Sequence, residues 1–592
     1  MSSSGNVMAA GDRTATPDID SNIAESSAMG RGKGKSLDED SESENDFQAR
    51  RQMSGMHPDS AWAEQNVLTF DGGGVRGYYS LLQLQKLMEY IRVVEEEENS
   101  KSDKPMRAED LSSFAPCGQP RHMSHCPRFT PYLPCHYFDY ICGTSTGALI
   151  TIMLSRLRMP VEDCLVEYEN LAGSIFGNPR LFHQAGKFGA IRKKNKFSTT
   201  NLEEAVKDVI RRRGEVANVQ DEAMLISTPK GLCRAIIVVN RDSTEDNNMR
   251  WDTPWIFRSY DNFYKSNKPL HHGRSQRVAP QDFDDVNAPR NAGQGTRFAA
   301  WKVARAATAA PLYFKPLEIA LDDGEIFRRK KTLFRTQTSA ISSGGTLTRT
   351  GSAANNNNNN NNNRQQDRTR STVRFTDGGF GRANNPAEEV LRELRSILKS
   401  RFKRIGTWVS IGTARQAATS DPNDPNLVNT TLLSYARLGD PEPVHERMVG
   451  ESAKDKFAYC RLNEVNGLPS VQMDEWLPRG SGTQTMETMK NAFASWAARA
   501  ENVAKFQKCA KALVQNRRKR ASESKSLWER YALGKFYVCP EDDCIYDPDE
   551  TWHYRTTFLQ HLKWPHMKRN EAEIEAMLEQ CEYVWEYKPP NY

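Results

Sequence analysis

The chain has 592 residues and a formal net charge of +6, from 81 lysines and arginines against 75 aspartates and glutamates. This length accommodates several domains of roughly 100–200 residues each, and the near balance of charge argues against a dedicated nucleic-acid-binding protein. The 11 cysteines are unevenly spaced, and we find neither a signal peptide nor an apolar run long enough to cross a bilayer. We therefore expect a cytoplasmic protein whose cysteines are thiols or metal ligands rather than disulfides.

The first 62 residues are rich in Ser, Gly, Asp and Glu and poor in large apolar side chains. Within them, Ser36–Asp46 consists almost entirely of charged and hydroxyl residues. Such a segment cannot bury enough apolar surface to offset the entropy that it would lose on ordering. The composition predicts a disordered, solvated tail over residues 1–62, with phosphorylation of serines beside acidic residues as an additional role.

The first ordered elements surround a glycine-rich loop. Asn66–Phe70 has the apolar character of a strand, Asp71–Gly77 reads DGGGVRG, and Ser80–Glu98 has the apolar periodicity of a helix. Glycines between a strand and a helix expose backbone N–H groups, which suit a phosphate or an oxyanion. The spacing differs from the dinucleotide-binding fingerprint, and no acidic ribose-binding residue follows a second strand.

Residues 99–134 form an insertion that contains proline, serine and cysteine. Several thiols and imidazoles in or next to it could hold a metal ion, but their spacing fits no zinc-finger template. We therefore interpret them as loop residues rather than ligands. The group comprises Cys117, His122, His125, Cys126 and Cys135.

A serine lies at the centre of the stretch Phe138–Leu154. An apolar run meets Gly-Thr-Ser-Thr-Gly at residues 143–147, and an apolar, helix-like segment follows at once. Strand, sharp turn and helix are typical of a nucleophile elbow, which would place the hydroxyl of Ser145 at the top of a sheet. Gly143 and Gly147 keep the turn free of side chains.

Apolar strands and amphipathic helices alternate up to residue 412, which predicts an α/β sheet covered on both faces. A low-complexity insertion at 328–372 contains the run Asn355–Asn363 and must loop outside the fold. The predicted strands are Cys233–Asn240, Ile256–Tyr260, Val373–Thr376 and Ile405–Gly412, and the predicted helices are Val161–Ile175, Thr200–Arg213, Phe298–Phe314, Ala387–Leu398 and Met489–Leu513.

Residues 416–530 read as a helical extension that ends near the basic run Arg517–Arg520. We interpret this run as a solvated helix end, with a nuclear import signal or a membrane contact as alternatives. Basic clusters of this kind could adsorb to anionic lipid at roughly 1 kcal/mol per residue. The others are Arg192–Lys196, Arg211–Arg213 and Arg328–Lys331.

Residues 535–570 contain the spacing C-x4-C-x16-H-x4-H, which is similar to that of a two-cysteine, two-histidine zinc finger. Thiolate and imidazole ligands suit tetrahedral Zn²⁺. The predicted ligands are Cys539, Cys544, His561 and His566. Such a module could bind a protein partner; the alternative is a small helical tail with incidental histidines, and His553 is a rival ligand.

Three motifs carry a resemblance to a known family: Asp71–Gly77, the glycine-flanked Ser145, and Asp377-Gly378-Gly379 after a late strand. Together with Ala304–Pro311 and Ser410–Thr413, these motifs resemble those of the patatin-like phospholipases, especially the fungal cytosolic type. The resemblance covers about residues 66–476. The resemblance implies a three-layer α/β sandwich with a central, mostly parallel sheet over residues 63–415. It covers neither the N-terminal tail nor the zinc-finger-like segment.

The resemblance also implies a chemistry. Ser145 would be the nucleophile and Asp377 its base, in a dyad that hydrolyses glycerolipid or phospholipid esters through an acyl-enzyme, with transient membrane contact. It implies no catalytic cofactor, and no carboxylate cluster has calcium-loop spacing. The implied oxyanion loop comprises Gly72, Gly73, Gly74, Arg76 and Gly77, with Arg76 either holding the loop or meeting a lipid phosphate.

Three alternatives remain open at this point. The same dyad could transfer the acyl group to an alcohol instead of water. The hydrolase fold could be a scaffold for a non-enzymatic regulator that works through the zinc finger. A histidine such as His271 or His272 could join Ser145 in a triad.

Overall fold

The structure is a computed structural model, and it describes residues 59–101, 132–179, 195–213, 226–228, 231–242, 253–262, 291, 298–311, 313–320, 372–381, 383–398, 403–414, 439–464, 468, 471–533, 536–539, 551–552, 555–563 and 570–583. Most of the predicted tail, the low-complexity insertion and the basic cluster at 328–331 lie outside the described residues. His271 and His272 also lie outside the described residues. Of the five candidate ligands around the first insertion, the structure describes Cys135.

A mixed sheet of eight strands forms the centre of the fold. The strands are β1 (Glu64–Phe70), β2 (Tyr140–Thr144), β3 (Arg234–Asp242), β4 (Thr253–Arg258), β5 (Leu317–Ala320), β6 (Thr372–Asp377), β7 (Arg404–Ile411) and β8 (Ala458–Leu462). Their order is β5-β6-β3-β2-β1-β7-β8, and β4 pairs with β3 beside this path. Strands β3, β2, β1, β7 and β8 pair in parallel, whereas β4, β5 and β6 pair antiparallel. The predicted α/β fold with a mostly parallel centre is confirmed.

Helices cover both faces of this sheet. They are α1 (Gly77–Ser100), α2 (Pro134–Tyr137), α3 (Thr146–Thr151), α4 (Val161–Phe176), α5 (Thr199–Arg213), α6 (Ala300–Ala307), α7 (Ala387–Leu398), α8 (Glu442–Asp455), α9 (Thr483–Ala497), α10 (Ala500–Glu523) and α11 (Lys525–Leu533). Along β1, Leu68 and Phe70 join the apolar cluster under α1 and α4, while Val67 joins the one under α7 and α8. Because successive strand residues point to opposite faces, the sheet is buried on both sides. Within the described residues, no helix is both long and apolar enough to cross a bilayer.

The region predicted as a separate helical extension belongs to the same fold. Strand β8 pairs in parallel with β7 and forms an edge of the main sheet. Helix α10 packs on α1, and its Phe506 and Leu513 belong to the same apolar cluster as β1. The predicted boundary at residue 415 is therefore wrong, because the chain after it supplies both a strand and a covering helix. The predicted helix Met489–Leu513 is also two helices, α9 and α10.

The basic run at the end of α10 is a buried structural element. Arg517 forms an ion pair with Glu95 at 2.6 Å, and Arg520 forms one with Asp139 at 2.8 Å. The side chains of Arg517 and Arg520 are 1% exposed, so both the solvated helix end and the surface signal are wrong for these two arginines. Their charges instead fix α10 to α1 and to the start of β2.

The fold also reaches into the predicted N-terminal tail. Residues 61–63 form a 3-10 turn, and Trp62 is buried against Trp528 and Tyr531. The Trp62 indole donates a hydrogen bond to the Arg520 carbonyl at 3.1 Å. The predicted boundary between tail and catalytic domain at residue 62 is therefore wrong, because residues 61 and 62 already belong to the fold. The average composition of the tail does not reveal a single buried tryptophan.

A small module follows α11. It contains a three-stranded sheet, β10-β9-β11, built from β9 (Phe536–Val538), β10 (Thr551–Trp552) and β11 (Glu582–Tyr583). Two helices accompany the sheet, α12 (Arg555–Lys563) and α13 (Glu571–Cys581). Tyr537, Phe558, Leu562 and Ile574 are among the residues of its own apolar cluster. The module therefore has a core distinct from that of the main sheet.

Candidate active site

Ser145 stands at a sharp turn between β2 and α3. Its backbone has a φ of 54°, a left-handed conformation that costs a non-glycine residue energy and recurs at functional turns. The turn is tight: a Cβ at Gly143 would lie 2.2 Å from the carbonyl oxygen of Gly147, and one at Gly147 would lie 2.6 Å from that of Phe70. The two glycines thus let strand and helix approach closely, as the elbow motif predicted.

Strand β3 brings Asp377 to this serine from 232 residues further along the chain. On β3, Val238 pairs with Thr144 at the end of β2, and the adjacent Val239 pairs with Asp377 at the end of β6. The Ser145 hydroxyl donates a direct hydrogen bond to Asp377 Oδ2 at 2.7 Å. The residues that the sequence motifs predicted as nucleophile and base are therefore in contact.

The surroundings of Asp377 change its acidity. Its carboxyl is buried, and burial raises its pKa to about 7, against the opposing effect of hydrogen bonds from Ser145 and Gly379. The Gly379 amide donates to Asp377 Oδ1 at 2.7 Å, which leaves Oδ2 for the serine. Asn240 holds the Asp377 carbonyl at 3.1 Å. A carboxyl with a pKa near neutrality is a much stronger base than one near ~4.

The glycine loop lies against the serine. A Cβ built on Gly72 would come within 3.0 Å of Ser145 Cβ. The Gly72 amide, however, donates to the Asn384 carbonyl at 3.0 Å, so the prediction of Gly72 as an oxyanion donor is wrong for this conformation. The amides of Gly73 and Gly74 have no acceptor within the described ranges, which leaves them as the loop's candidate donors.

The other two residues of the predicted oxyanion loop have different surroundings. The Gly77 amide donates a hydrogen bond to the Gly74 carbonyl and so closes the 3-10 turn. It is therefore not available to stabilise an oxyanion. Arg76 is buried, and its Nε and Nη1 atoms have no hydrogen-bond partner in the described part of the chain. Burial lowers the pKa of Arg76 to about 10, which still leaves it cationic at neutral pH. A buried cation without a partner is costly and favours an anion.

A buried ion pair anchors the start of the loop. Arg461 on β8 contacts both carboxylate oxygens of Asp71, at 3.0 and 2.5 Å. It also donates to Ser410 at 2.9 Å and lies 3.4 Å from Glu442. This two-pronged geometry fixes the aspartate more firmly than a single contact would. The edge strand, which was predicted to lie outside the catalytic domain, thus supports the glycine loop.

Further hydrogen bonds hold the loop backbone. The Tyr168 hydroxyl donates to the Gly74 carbonyl at 2.6 Å, and the Val75 amide donates to the Met473 carbonyl at 2.8 Å. These supporting partners could not be predicted from the sequence, because most of them lie in no motif. The exception is Thr413, the last residue of Ser410–Thr413, which resembles a segment of the family. The partners that sequence analysis did not assign are Tyr168, Asn384, Thr413, Arg461 and Met473.

The predicted zinc ligands are only partly described. Cys539 follows β9, and the ring of His561 on α12 stacks on Phe558 at 5.8 Å. Both contact the apolar cluster of the same module. Cys544 and His566 lie outside the described residues, and the part that is described contains no group of three or more metal-ligating side chains.

Comparison with known proteins gives the class to which this fold and site belong. The model of the patatin-like phospholipase family matches residues 68–391, which include the glycine loop, Ser145 and Asp377. The chain therefore belongs to the patatin-like phospholipase family.

Individual relatives are more distant. Calcium-independent phospholipase A2-gamma of Mus musculus is 24% identical over 257 residues, 43% of this chain and 23% of the relative. The Oryctolagus cuniculus protein of the same name is 24% identical over 261 residues, with the same shares. That of Homo sapiens is 29% identical over 110 residues, 19% of this chain and 9% of the relative. The longer of these matches span about a quarter of the relatives' length. These relatives are mammalian, so the fungal type stays a prediction.

Proposed function

We propose that this protein is a calcium-independent lipid acyl hydrolase that cleaves phospholipid esters through Ser145 and Asp377. The observation that carries the proposal is the direct 2.7 Å hydrogen bond from the Ser145 hydroxyl to Asp377 Oδ2, at a strained elbow beside a glycine loop. Family membership and the names of the relatives support a lipid ester as the substrate.

In the first half of the reaction, Ser145 Oγ attacks the ester carbonyl carbon while its proton passes to Asp377 Oδ2. The carbonyl oxygen becomes an oxyanion, and the amides of Gly73 and Gly74 stabilise it; one such donor typically contributes ~3 kcal/mol. Collapse of the tetrahedral intermediate breaks the ester bond. The leaving alcohol of the lysolipid takes the proton from Asp377, and the acyl group stays on Ser145.

In the second half, water attacks the acyl-enzyme. Asp377 accepts one proton from this water, and a second tetrahedral intermediate forms at the same glycine amides. Its collapse releases the fatty acid, and Asp377 returns the proton to Ser145 Oγ. A pKa near 7 suits a group that must accept and return a proton in each half-reaction.

Arg76 supports a phospholipid rather than a neutral lipid. Its guanidinium is buried beside the catalytic loop, and neither Nε nor Nη1 has a hydrogen-bond partner among the described residues. A phosphodiester would supply the missing charge and acceptors. Arg76→Gln is expected to raise KM for phosphatidylcholine several-fold while leaving the hydrolysis of an uncharged p-nitrophenyl ester unchanged. An equal loss on both substrates would assign Arg76 to loop structure alone.

A fluorophosphonate probe tests the nucleophile. The wild type is expected to be labelled at Ser145, and Ser145→Ala should lose labelling and roughly 10⁴-fold or more of phospholipase activity. The control is Ser155→Ala, because the Ser155 hydroxyl donates a local hydrogen bond to the Thr151 carbonyl just after α3. Equal labelling of wild type and Ser145→Ala would overturn the proposal. Activity that persists in excess EGTA supports calcium independence.

The products separate hydrolysis from acyl transfer. Incubation of phosphatidylcholine with and without glycerol is expected to yield free fatty acid and lysolipid in equal amounts. Acylglycerol as the main product would favour the transferase. We expect transient binding at the lipid surface, which co-sedimentation with phosphatidylcholine–phosphatidylserine vesicles measures.

We also propose that the C-terminal module binds zinc. The thiol of Cys539 and the imidazole of His561 fit the ion chemically and lie in one small module. The full chain is expected to contain one equivalent of zinc per chain and to lose it in Cys539→Ser. An unchanged zinc content in that variant would contradict the assignment. Binding of a protein partner by this module stays a prediction.

A further inference from the structure

A cavity of about 400 Å³ lies between strand β8 and helix α10. Arg461 is on its wall, but neither Ser145 nor Asp377 lines it. The proposed reaction makes no use of this space. Its lining includes two cysteines, Cys460 from the strand and Cys509 from the helix.

Both thiols line this cavity. Helix α10 packs directly on β8, and Cys460 and Cys509 are close enough that each changes the pKa of the other. Cys509 is buried, whereas Cys460 is partly exposed. Cys460 is therefore the more accessible of the two cysteines to a small reagent.

The charges around Cys460 favour its thiolate. The neighbouring thiol of Cys509 lowers the pKa of the Cys460 thiol against the effect of burial, and Lys505 and Lys508 lower it further. Both lysines line the same cavity. By contrast, burial raises the pKa of Cys164 and of Cys233 well above the usual value. A partly exposed thiol of lowered pKa beside a second thiol is the arrangement of a redox-sensitive cysteine.

We propose that Cys460 is an oxidation site that reacts with a hydroperoxide and then forms a disulfide with Cys509. The Cys460 thiolate attacks one peroxide oxygen, the O–O bond breaks, and hydroxide or alkoxide leaves, so that sulfur is oxidised to a sulfenic acid. The Cys509 thiol then attacks this sulfur. An S–S bond forms, the S–O bond breaks and water leaves, with the peroxide as the two-electron oxidant.

The position of this bond connects it to the catalytic loop. Cys460 directly precedes Arg461, whose guanidinium holds Asp71. A disulfide would join the edge strand covalently to helix α10 at the residue next to this anchor. The inference does not depend on the proposed hydrolase activity, and its test measures sulfur chemistry alone.

Peptide mapping of the full chain tests the disulfide. Reduced protein is treated with a small excess of hydrogen peroxide, remaining thiols are alkylated, and the protein is digested with trypsin without reduction. Cleavage isolates Phe457–Arg461 and Cys509–Lys511, and these two peptides are expected joined, lighter than their sum by two hydrogens. Recovery of both peptides fully alkylated after oxidation, from protein with an unchanged circular dichroism spectrum, would overturn the proposal.

Two variants and a control assign the roles. Cys460→Ser should abolish the joined peptide, whereas Cys164→Ser, at a buried cysteine with a raised pKa, should leave its yield unchanged. Cys509→Ala should trap the sulfenic acid, seen as several-fold stronger dimedone labelling of Cys460. Dimedone labelling of another cysteine instead would refute the assignment to Cys460. If Cys509→Ala does not fold, the wild-type peptide map decides the question.

Discussion

At the scale of single residues, Asp377, the proposed base, lies in an environment that is unfavourable for a charged carboxylate. Burial raises its pKa from 3.8 to about 7, so the folded protein binds a proton at pH values at which the unfolded chain has lost it. Between about pH 4 and pH 7, this carboxyl therefore makes the free energy of unfolding fall as the pH rises. Such a cost is typical of a site arranged for chemistry rather than stability.

The first prediction follows from this pKa. We expect kcat/KM to be low below pH 6, to reach half of its maximum near pH 7 and to approach a plateau above about pH 8, because only the ionised Asp377 accepts the serine proton. Asp377→Asn should lower kcat by roughly 10²- to 10⁴-fold and remain at least as stable as wild type at pH 8. A wild-type profile that falls between pH 6 and 8 would contradict this assignment.

Gly74 gives a second prediction at this scale. Its φ is +58°, and a Cβ there would lie 1.9 Å from the Met473 carbonyl oxygen. Gly74→Ala should therefore displace the loop and lower kcat by roughly 10²- to 10³-fold, the effect of losing one oxyanion donor. The control is Gly450→Ala in α8, where the new Cβ would lie within 4 Å of no described atom outside its own stretch of helix. That variant should keep full activity and gain roughly 0.4–1 kcal/mol of stability.

At the scale of elements, the two hydrogen bonds from Arg461 to the Asp71 carboxylate connect strand β8 to the loop after β1. We expect Arg461→Met to lose about 3–5 kcal/mol of stability, because it leaves the buried Asp71 carboxylate without its cation, and to lower activity. Arg447→Met is the matched control, because the pair of Arg447 with Glu388 is about half exposed and worth ~0–1 kcal/mol. Urea denaturation measures the free energy of unfolding of both variants. Equal decreases would show that the ion pair between Arg461 and Asp71 does not anchor the loop.

The sequence predicted the parts of the site that rest on local geometry. The elbow around Ser145 and the loop at Asp71–Gly77 need glycines at fixed spacings, so they are visible as motifs. The partner of Asp71 is not, because Arg461 follows 390 residues later on an edge strand of five residues with a partly exposed burial pattern. The same holds for Arg520, whose carboxylate partner Asp139 lies 381 residues away. Charge runs in a sequence do not show which long-range pair they form.

At the scale of the whole molecule, the region after residue 415 completes the domain. A chain that ends at residue 415 would expose the edge of β7 and leave Glu95 and Asp139 buried without Arg517 and Arg520. We expect this truncation to aggregate. A chain that ends at residue 533 keeps α10 and α11 and removes only the module with its own core, so it should fold and label with the fluorophosphonate probe. Soluble, active protein ending at 415 would contradict the revised boundary.

Strand β3 has a consequence for protein engineering. At adjacent positions it pairs with Thr144 at the end of β2, next to Ser145, and with Asp377 at the end of β6. Among the described strands of the sheet path, β3 is the one that joins these two halves of the site. A cut between β5 and β6 would divide the chain into one fragment with the serine and another with the aspartate. Neither fragment would hydrolyse an ester, and pairing of β6 with β3 and β5 would restore the site. The fold thus lends itself to a split enzyme whose activity reports the reunion of its two pieces.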